Sequence, residues 1–342
     1  MRVKQEDIAR IANVSQATVS RVLSGDERVE PEIRDRVKAI IKQENYQPDV
    51  RARNLRQKRT HLIGLVLKRE PGVLKDDPFF AALVSQVVEC LAGTPYHLCV
   101  DIAADSSKQA HIYDELLRTR RVDGLILVES ESHDERLNRL EQDKFPFVLI
   151  GKAPKGTNIT SIDNDNVEAA KMAAEHLIEQ GYKNIAMLAG PRGLTVTEDR
   201  VAGYELALND AKLPTTVIHA DFGMNSARNA AIHLLNDKNR PDAILTMDDT
   251  MALGAVSAAR ELKVSIPNEL GIMGFNDSAV CDLVDGGLSS VNLSIDKMVR
   301  WCIRQLVDGI EGEMPNVANT EVVPTFLRSR GSTERRAKVS VS

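Results

Sequence analysis

From Leu62 onward, short apolar runs alternate with amphipathic stretches. The eight runs are LIGLVL, YHLCVD, DGLILVE, PFVLIG, NIAMLAG, TTVIHA, DAILTM and LGIMGF. Continuous apolar runs of this length, each followed by a helical pattern, predict parallel strands with crossover helices. So many units exceed one small doubly wound sheet, and the pattern predicts two α/β lobes. Asp163-Asn164-Asp165, after the fourth run, marks a bridge between them.

Residues 1–45 have a different texture, with short helices, tight turns and no strand. Ile8 and Ala12 share one face of a first helix, and Val19, Val22 and Leu23 one face of a second. Asn13 sits where the chain must turn sharply, and Asn tolerates the left-handed conformation. Ser15 is a good N-cap for the second helix. Small side chains at Ala9 and Ala12 let the two helices approach. A third helix starts at Pro31, with Ile33, Val37, Ile40 and Ile41 as its buried stripe.

This is a helix-turn-helix, whose second helix is the one that enters a DNA major groove. Its outward positions are Gln16, Ala17, Ser20, Arg21 and Ser24. Gln pairs bidentately with adenine, Arg with guanine, and Ala touches a thymine methyl. Thr18 and Ser20 suit phosphates, which position the protein without specifying sequence. The bland alternative is a small three-helix module that binds no DNA.

Charge weighs against that alternative. The whole chain carries a formal charge of −5, but residues 1–60 hold fourteen Lys/Arg against nine Asp/Glu, and the remainder thirty against forty. A basic head on an acidic body points the head at a polyanion. The basic segment at 49–59 contains Arg51, Arg53, Arg56, Lys58 and Arg59 around a lone Leu55. As a free linker it leaves Leu55 unexplained. As a short helix formed on DNA, Leu55 is a wedge that pries open a base step.

Enzyme signatures are absent: there is no GxGxxG, P-loop, GxSxG or HExxH. The seven histidines are scattered, and the four cysteines (90, 99, 281 and 302) form no CxxC pair. No cofactor or metal site is expected, and the thiols are expected to be reduced in the cytoplasm. The N-terminus lacks an apolar signal core and no run is long enough to span a membrane, so no membrane partner is expected.

SQATVSRVLSG, the NYQPDVRARNL hinge and the strands that follow resemble the LacI/GalR family of bacterial transcription regulators, over residues 4 to 330. The family commonly has Gly where this chain has Asn13. The resemblance implies a helix-turn-helix head on a periplasmic-binding-protein type body, working as a homodimer on a pseudo-palindromic double-stranded operator, most often as a repressor. Gln16, Ala17 and Arg21 become base readers and Leu55 the minor-groove wedge. The implied domains are 1–46 for the head, 47–60 for a hinge helix, 61–160 with 291–320 for the first lobe, and 161–290 with 321–330 for the second. Crossings between lobes fall near 161, 290 and 321. The polar residues 331–342 are expected to be disordered, and STERRAKVSVS lacks the leucine heptad of a tetramerising coiled coil.

Ligands bind open α/β sheets beyond the strand C-termini. The candidates there are Phe79, Phe80, Asp165, Arg200, Phe222, Asp248, Asp249, Asn276 and Asp277. Phe79, Phe80 and Phe222 are three of only seven phenylalanines and can stack on a sugar or a nucleobase. One of the first two can equally be helix core, and Asp249 can equally be a helix cap. Carboxylates with one Arg and few other cations suit a neutral polyhydroxylated effector, a sugar rather than a sugar phosphate. A nucleobase- or nucleoside-responsive regulator is the alternative, and a sugar-binding or carbohydrate-processing protein without DNA a remote one. Asp248 stands where many relatives place Asn, and Asn276 where many place Asp, so no named relative's effector carries over.

Overall fold

The computed structural model describes residues 3–46, 59–69, 77–131, 134–312 and 318–335 of the 342. Two compact units divide the chain at residues 60 and 61. The expected hinge helix at 47–60, with Arg51, Arg53, Leu55 and Arg56, lies almost wholly outside the described residues.

In the head, helices α1 (Gln5–Ile11), α2 (Gln16–Leu23) and α3 (Pro31–Gln43) enclose Ile8, Ala9, Ala12, Val19, Val22, Val29 and Val37. Asn13 takes φ of 51° in the turn. Ser15 caps α2, its Oγ accepting from Thr18 N at 3.1 Å. Leu23 departs from expectation: it is 36% exposed. One residue past Val22, it is rotated by about 100° away from the core face.

The body has two six-stranded sheets. Its elements are β1 (Leu62–Lys68), α4 (Pro78–Leu91), β2 (His97–Ala103), α5 (Ser106–Thr119), β3 (Gly124–Val128), α6 (Glu135–Gln142), β4 (Phe147–Ile150) and β5 (Ser161–Asn164). There follow α7 (Asn166–Glu179), β6 (Ile185–Ala189), α8 (Thr195–Asp210), β7 (Thr216–His219), α9 (Met224–Leu235), β8 (Ala243–Thr246), α10 (Asp249–Glu261) and β9 (Gly271–Phe275). After a 3-10 turn at Ala279–Leu283 come β10 (Ser289–Asn292), α11 (Ile295–Glu311), β11 (Thr320–Val323) and β12 (Phe326–Arg328).

The first sheet, ordered β11-β5-β4-β3-β1-β2, is parallel throughout. The second, β12-β10-β9-β8-β6-β7, is parallel except for β12. Strands β3, β6, β8 and β9 are buried along their whole length, which is why they read as unbroken apolar runs. Helices α7 and α8 meet at Gly203, where an added Cβ would lie 2.0 Å from the Val167 carbonyl oxygen.

The crossings fall later than expected. β5 and β11 pair within the first sheet and β10 within the second, so the chain crosses after Asn164, after Asn292 and after Val323. The expected loose tail also begins later. Ser332 and Thr333 are fully buried. Ser289 N donates to Ser332 Oγ at 2.8 Å, Ser332 Oγ donates to the Ile272 carbonyl at 2.6 Å, and His176 Nε2 lies 2.9 Å from Thr333 Oγ1. Residues 331–335 therefore belong to the second lobe, and 336–342 lie outside the described residues.

Candidate functional site

A cleft between the lobes gathers residues just past the strand ends: Arg69 after β1, Glu129 and Ser130 after β3, Lys152 after β4, Asp163 on β5, Asp248 after β8 and Asn276 after β9. Helix starts add Asp77, Phe79 and Asn166, and α8 adds Arg200. The cleft holds about 740 Å³ of empty space, counting that open to solvent.

Arg200 is 5% exposed. Its Nε donates to Asn166 Oδ1 at 2.9 Å and its Nη1 to the Met247 carbonyl at 2.6 Å, while the guanidinium lies 4.1 Å from the Phe275 ring centre. Lost hydration lowers its pKa to about 10, against the pull of Asp163 and Asp248, so it stays charged at neutral pH. Asn166 Nδ2 in turn donates to Asp163 Oδ1 at 3.1 Å. Burial raises Asp163 to about 6.

Arg69 is the second fixed cation. Its Nη1 and Nη2 donate to the two Glu129 carboxylate oxygens at 3.0 and 2.7 Å, and Asp77 lies 3.8 Å from Nε. The guanidinium stacks between Phe80 and Phe222, 4.6 and 4.5 Å from their ring centres. Burial opposes its charge, but Glu129 and Asp77 outweigh that and raise its pKa. Asp248 caps α10, its Oδ1 accepting from Met251 N at 2.6 Å. Desolvation, with the charges of Asp77 and Asp249, pushes it up to about 7.

The lobes touch at the rim. Lys152 Nζ lies 2.7 Å from an Asp199 oxygen, Thr195 N donates to the Ser130 carbonyl at 3.0 Å, and Glu131 forms an isolated antiparallel bridge with Leu194. At the back, Asn164 Nδ2 donates to the Leu293 carbonyl at 3.1 Å and to the Val323 carbonyl at 2.9 Å. One buried amide thus ties together all three crossings.

Of the expected ligand residues, Phe79, Arg200, Phe222, Asp248 and Asn276 meet in the cleft. Four lie elsewhere. Phe80 is 3% exposed and packs in the first lobe's core. Asp165 is exposed and caps α7, accepting from Glu168 N at 3.0 Å. Asp249 is fully buried and accepts from Ser278 N, Ser278 Oγ and Ser290 Oγ at 2.8, 2.7 and 2.6 Å, bracing the loop after β9 against β10. Asp277 accepts from Arg330 Nη2 at 2.7 Å and Asn292 Nδ2 at 2.9 Å. The expectation of few cations is corrected by Arg69 and Lys152. Sequence reading missed these two, with Asp77, Glu129 and Asp163. For Arg69, Glu129, Lys152 and Asp163 the available signal was a charge at or just beyond a strand end, and for Asp77 an N-cap before Pro78.

In the head, Gln16, Ala17, Arg21 and Ser24 are exposed on and just beyond α2. Thr18 and Ser20 are half-buried.

Residues 5–49 match the family described as bacterial regulatory proteins, lacI family, and residues 174–333 match a periplasmic binding protein-like domain. Catabolite control protein A of Staphylococcus xylosus is 31% identical over 339 residues, covering 98% of this chain and all of that protein. This chain belongs to the LacI family. CelR of Thermobifida fusca, an HTH-type transcriptional regulator, is 31% identical over 333 residues, 96% of this chain and 97% of its own. A solved CelR–cellobiose complex superposes with a TM-score of 0.73 at 29% identity, covering 97% of this chain and 100% of that one. The Lac repressor dimer bound to operator and an anti-inducer shares the fold at 23% identity, with a TM-score of 0.83 over 97% of this chain and 99% of its own. As a LacI-family member, the protein is a DNA-binding transcriptional regulator and not an enzyme. No helix among the described residues is long and apolar enough to cross a membrane.

Proposed function

We propose that this LacI-family regulator is a cytoplasmic homodimeric repressor whose affinity for a pseudo-palindromic operator is set by a neutral sugar bound between the lobes. In this reading Gln16, Ala17 and Arg21 read bases, Thr18, Ser20 and Ser24 contact phosphates, and Arg51, Arg53, Leu55 and Arg56 bind and kink the centre of the site. The observation that carries the sugar is the make-up of the cleft. Carboxylates Asp163 and Asp248 accept from hydroxyls, Asn276 both donates and accepts, and Arg200 is held as a donor. Phe79 and Phe222 add apolar faces. Arg69 with Glu129 and Lys152 with Asp199 are neutralised within the protein, which favours an uncharged ligand. The cellobiose complex of a relative supports the same class.

Ligand touching both lobes shifts the balance between their relative arrangements, and the operator senses that shift through the dimer. The test is a thermal-shift screen of the full chain against sugars, polyols and nucleobases, followed by operator titration. A sugar at 100 times its Kd stabilises by about 2.7 kcal/mol. Arg200→Ala should lose the response and keep operator binding. Stabilisation by purines alone would refute the sugar and assign Phe79 and Phe222 to base stacking.

A further inference from the structure

A second, larger cavity adjoins the cleft on the side of β2 and β7. It holds about 1770 Å³ of empty space, counting that open to solvent, and both lobes line it. The two spaces have only Arg69 and Phe222 in common among the described residues that line them. The stacked pair, 4.5 Å apart, is thus a partition between an inner and an outer chamber.

The outer chamber has the chemistry of a carbohydrate subsite. Its formal charges balance: Lys68, Arg69 and Arg192 against Asp105, Glu131 and Asp221. Lys68 pairs with Glu131, and Asp105 caps α5, accepting from Lys108 N at 2.8 Å. Arg192 and Asp221 form no ion pair among the described residues, and with Asn225 and Ser226 they offer donors and acceptors. Gly223 begins α9 with φ of 110° and no side-chain cap, so the first backbone N–H groups of that helix have no side-chain acceptor there. Met224, at 41% exposed, supplies an apolar face beside Phe222.

We infer that the outer chamber is a second sugar subsite, and that the effector is a linear oligosaccharide running from the inner chamber past the Arg69–Phe222 stack. This rests on the sugar reading above. A neutral ligand suits both chambers, and a single ring fills only one. Phe222 lines both chambers, so sugar rings on either side of the partition would both meet its aromatic side chain.

The experiment is calorimetric titration of the full chain with β-1,4- and α-1,4-linked glucose oligomers of one to five units. Affinity should rise at least tenfold between the shortest oligomer that binds and those one or two units longer. Arg192→Ala and Asp221→Ala should each remove most of that gain and leave the shortest ligand's Kd within twofold. Binding that is independent of length, or a gain that both variants retain, overturns the outer subsite and leaves the sugar reading standing. No binding by any oligomer, with purines or no ligand in the thermal screen, overturns both.

Discussion

Replacing Asn164 with Ala removes the amide that joins the three crossings. Two hydrogen bonds are lost, to Leu293 O at 3.1 Å and Val323 O at 2.9 Å, in a site where Asn164 is 6% exposed. Each such bond contributes about 1 kcal/mol net, and a carbonyl left buried without a donor costs about 1–3 kcal/mol. The expected destabilisation is therefore about 2–4 kcal/mol. Urea unfolding is the assay, read by the fluorescence of Trp301, the single tryptophan, which lies on α11 just beyond one crossing. Asn164→Asp keeps the volume but sets a carboxylate against two carbonyl oxygens, so it should be worse than Ala near neutral pH. A loss below about 0.5 kcal/mol for Ala, within the usual range for surface positions, would refute the reasoning. Backbone and water would then hold the crossings unaided.

Arg21→Ala should weaken operator binding by about 1–3 kcal/mol in a fluorescence-anisotropy titration and relax selectivity at one base pair, while unchanged affinity would remove α2 from the major groove. Gly203→Ala drives a methyl into the Val167 carbonyl oxygen and should cost about 3 kcal/mol in thermal unfolding; a neutral outcome would mean that α7 and α8 slide apart freely. Asp248 titrates near 7 in the folded chain against 3.8 in the unfolded one, so the folded state holds the extra proton between those values and stability falls as pH rises through them. Asp248→Asn should flatten that slope in urea midpoints measured from pH 5 to 8, and an unaltered slope would place the titration elsewhere.

How much was legible depends on which forces wrote each feature. The eight apolar runs all became strands. In β3, β6, β8 and β9 burial on both faces leaves no room for polar residues, whereas the edge strands β2 and β7 are apolar though partly exposed. Ser161–Asn164 and Ser289–Asn292 lack that mark. Each pairs on one side with the strand just before it, β4 or β9, and on the other with a strand that returns only after a crossing, β11 or β12. Without an apolar run to mark their ends, the lobe boundaries were misplaced by a few residues. Asp248 and Asp249 look alike in sequence. At the start of α10, one step of about 100° leaves the first in the cleft and turns the second into the Ser278 and Ser290 hydroxyls. Ser332 and Thr333 read as tail because they are polar. They are polar because buried Ser289 and His176 need partners. Arg69 was hidden in a charged run, KRE, that resembles any solvated turn.

The cleft and the crossings between the lobes are not separate devices. Asn164 lines the cleft and also ties the crossings, and Leu293, which accepts one of its hydrogen bonds, lines the cleft as well. One residue along, Asp163 binds Asn166, and Asn166 binds Arg200, whose other end holds the Met247 carbonyl next to Asp248. A continuous chain of buried hydrogen bonds therefore runs from the first lobe's last inner strand, through the base of the cleft, to the second lobe. Partial satisfaction of such a network is costly in a low-dielectric interior, so it favours discrete arrangements over gradual ones. A ligand that hydrogen-bonds Asp163, Arg200 or Asp248 competes for the same lone pairs and protons. On the function proposed above, such a ligand would act on the network that joins the two lobes, with no longer pathway needed.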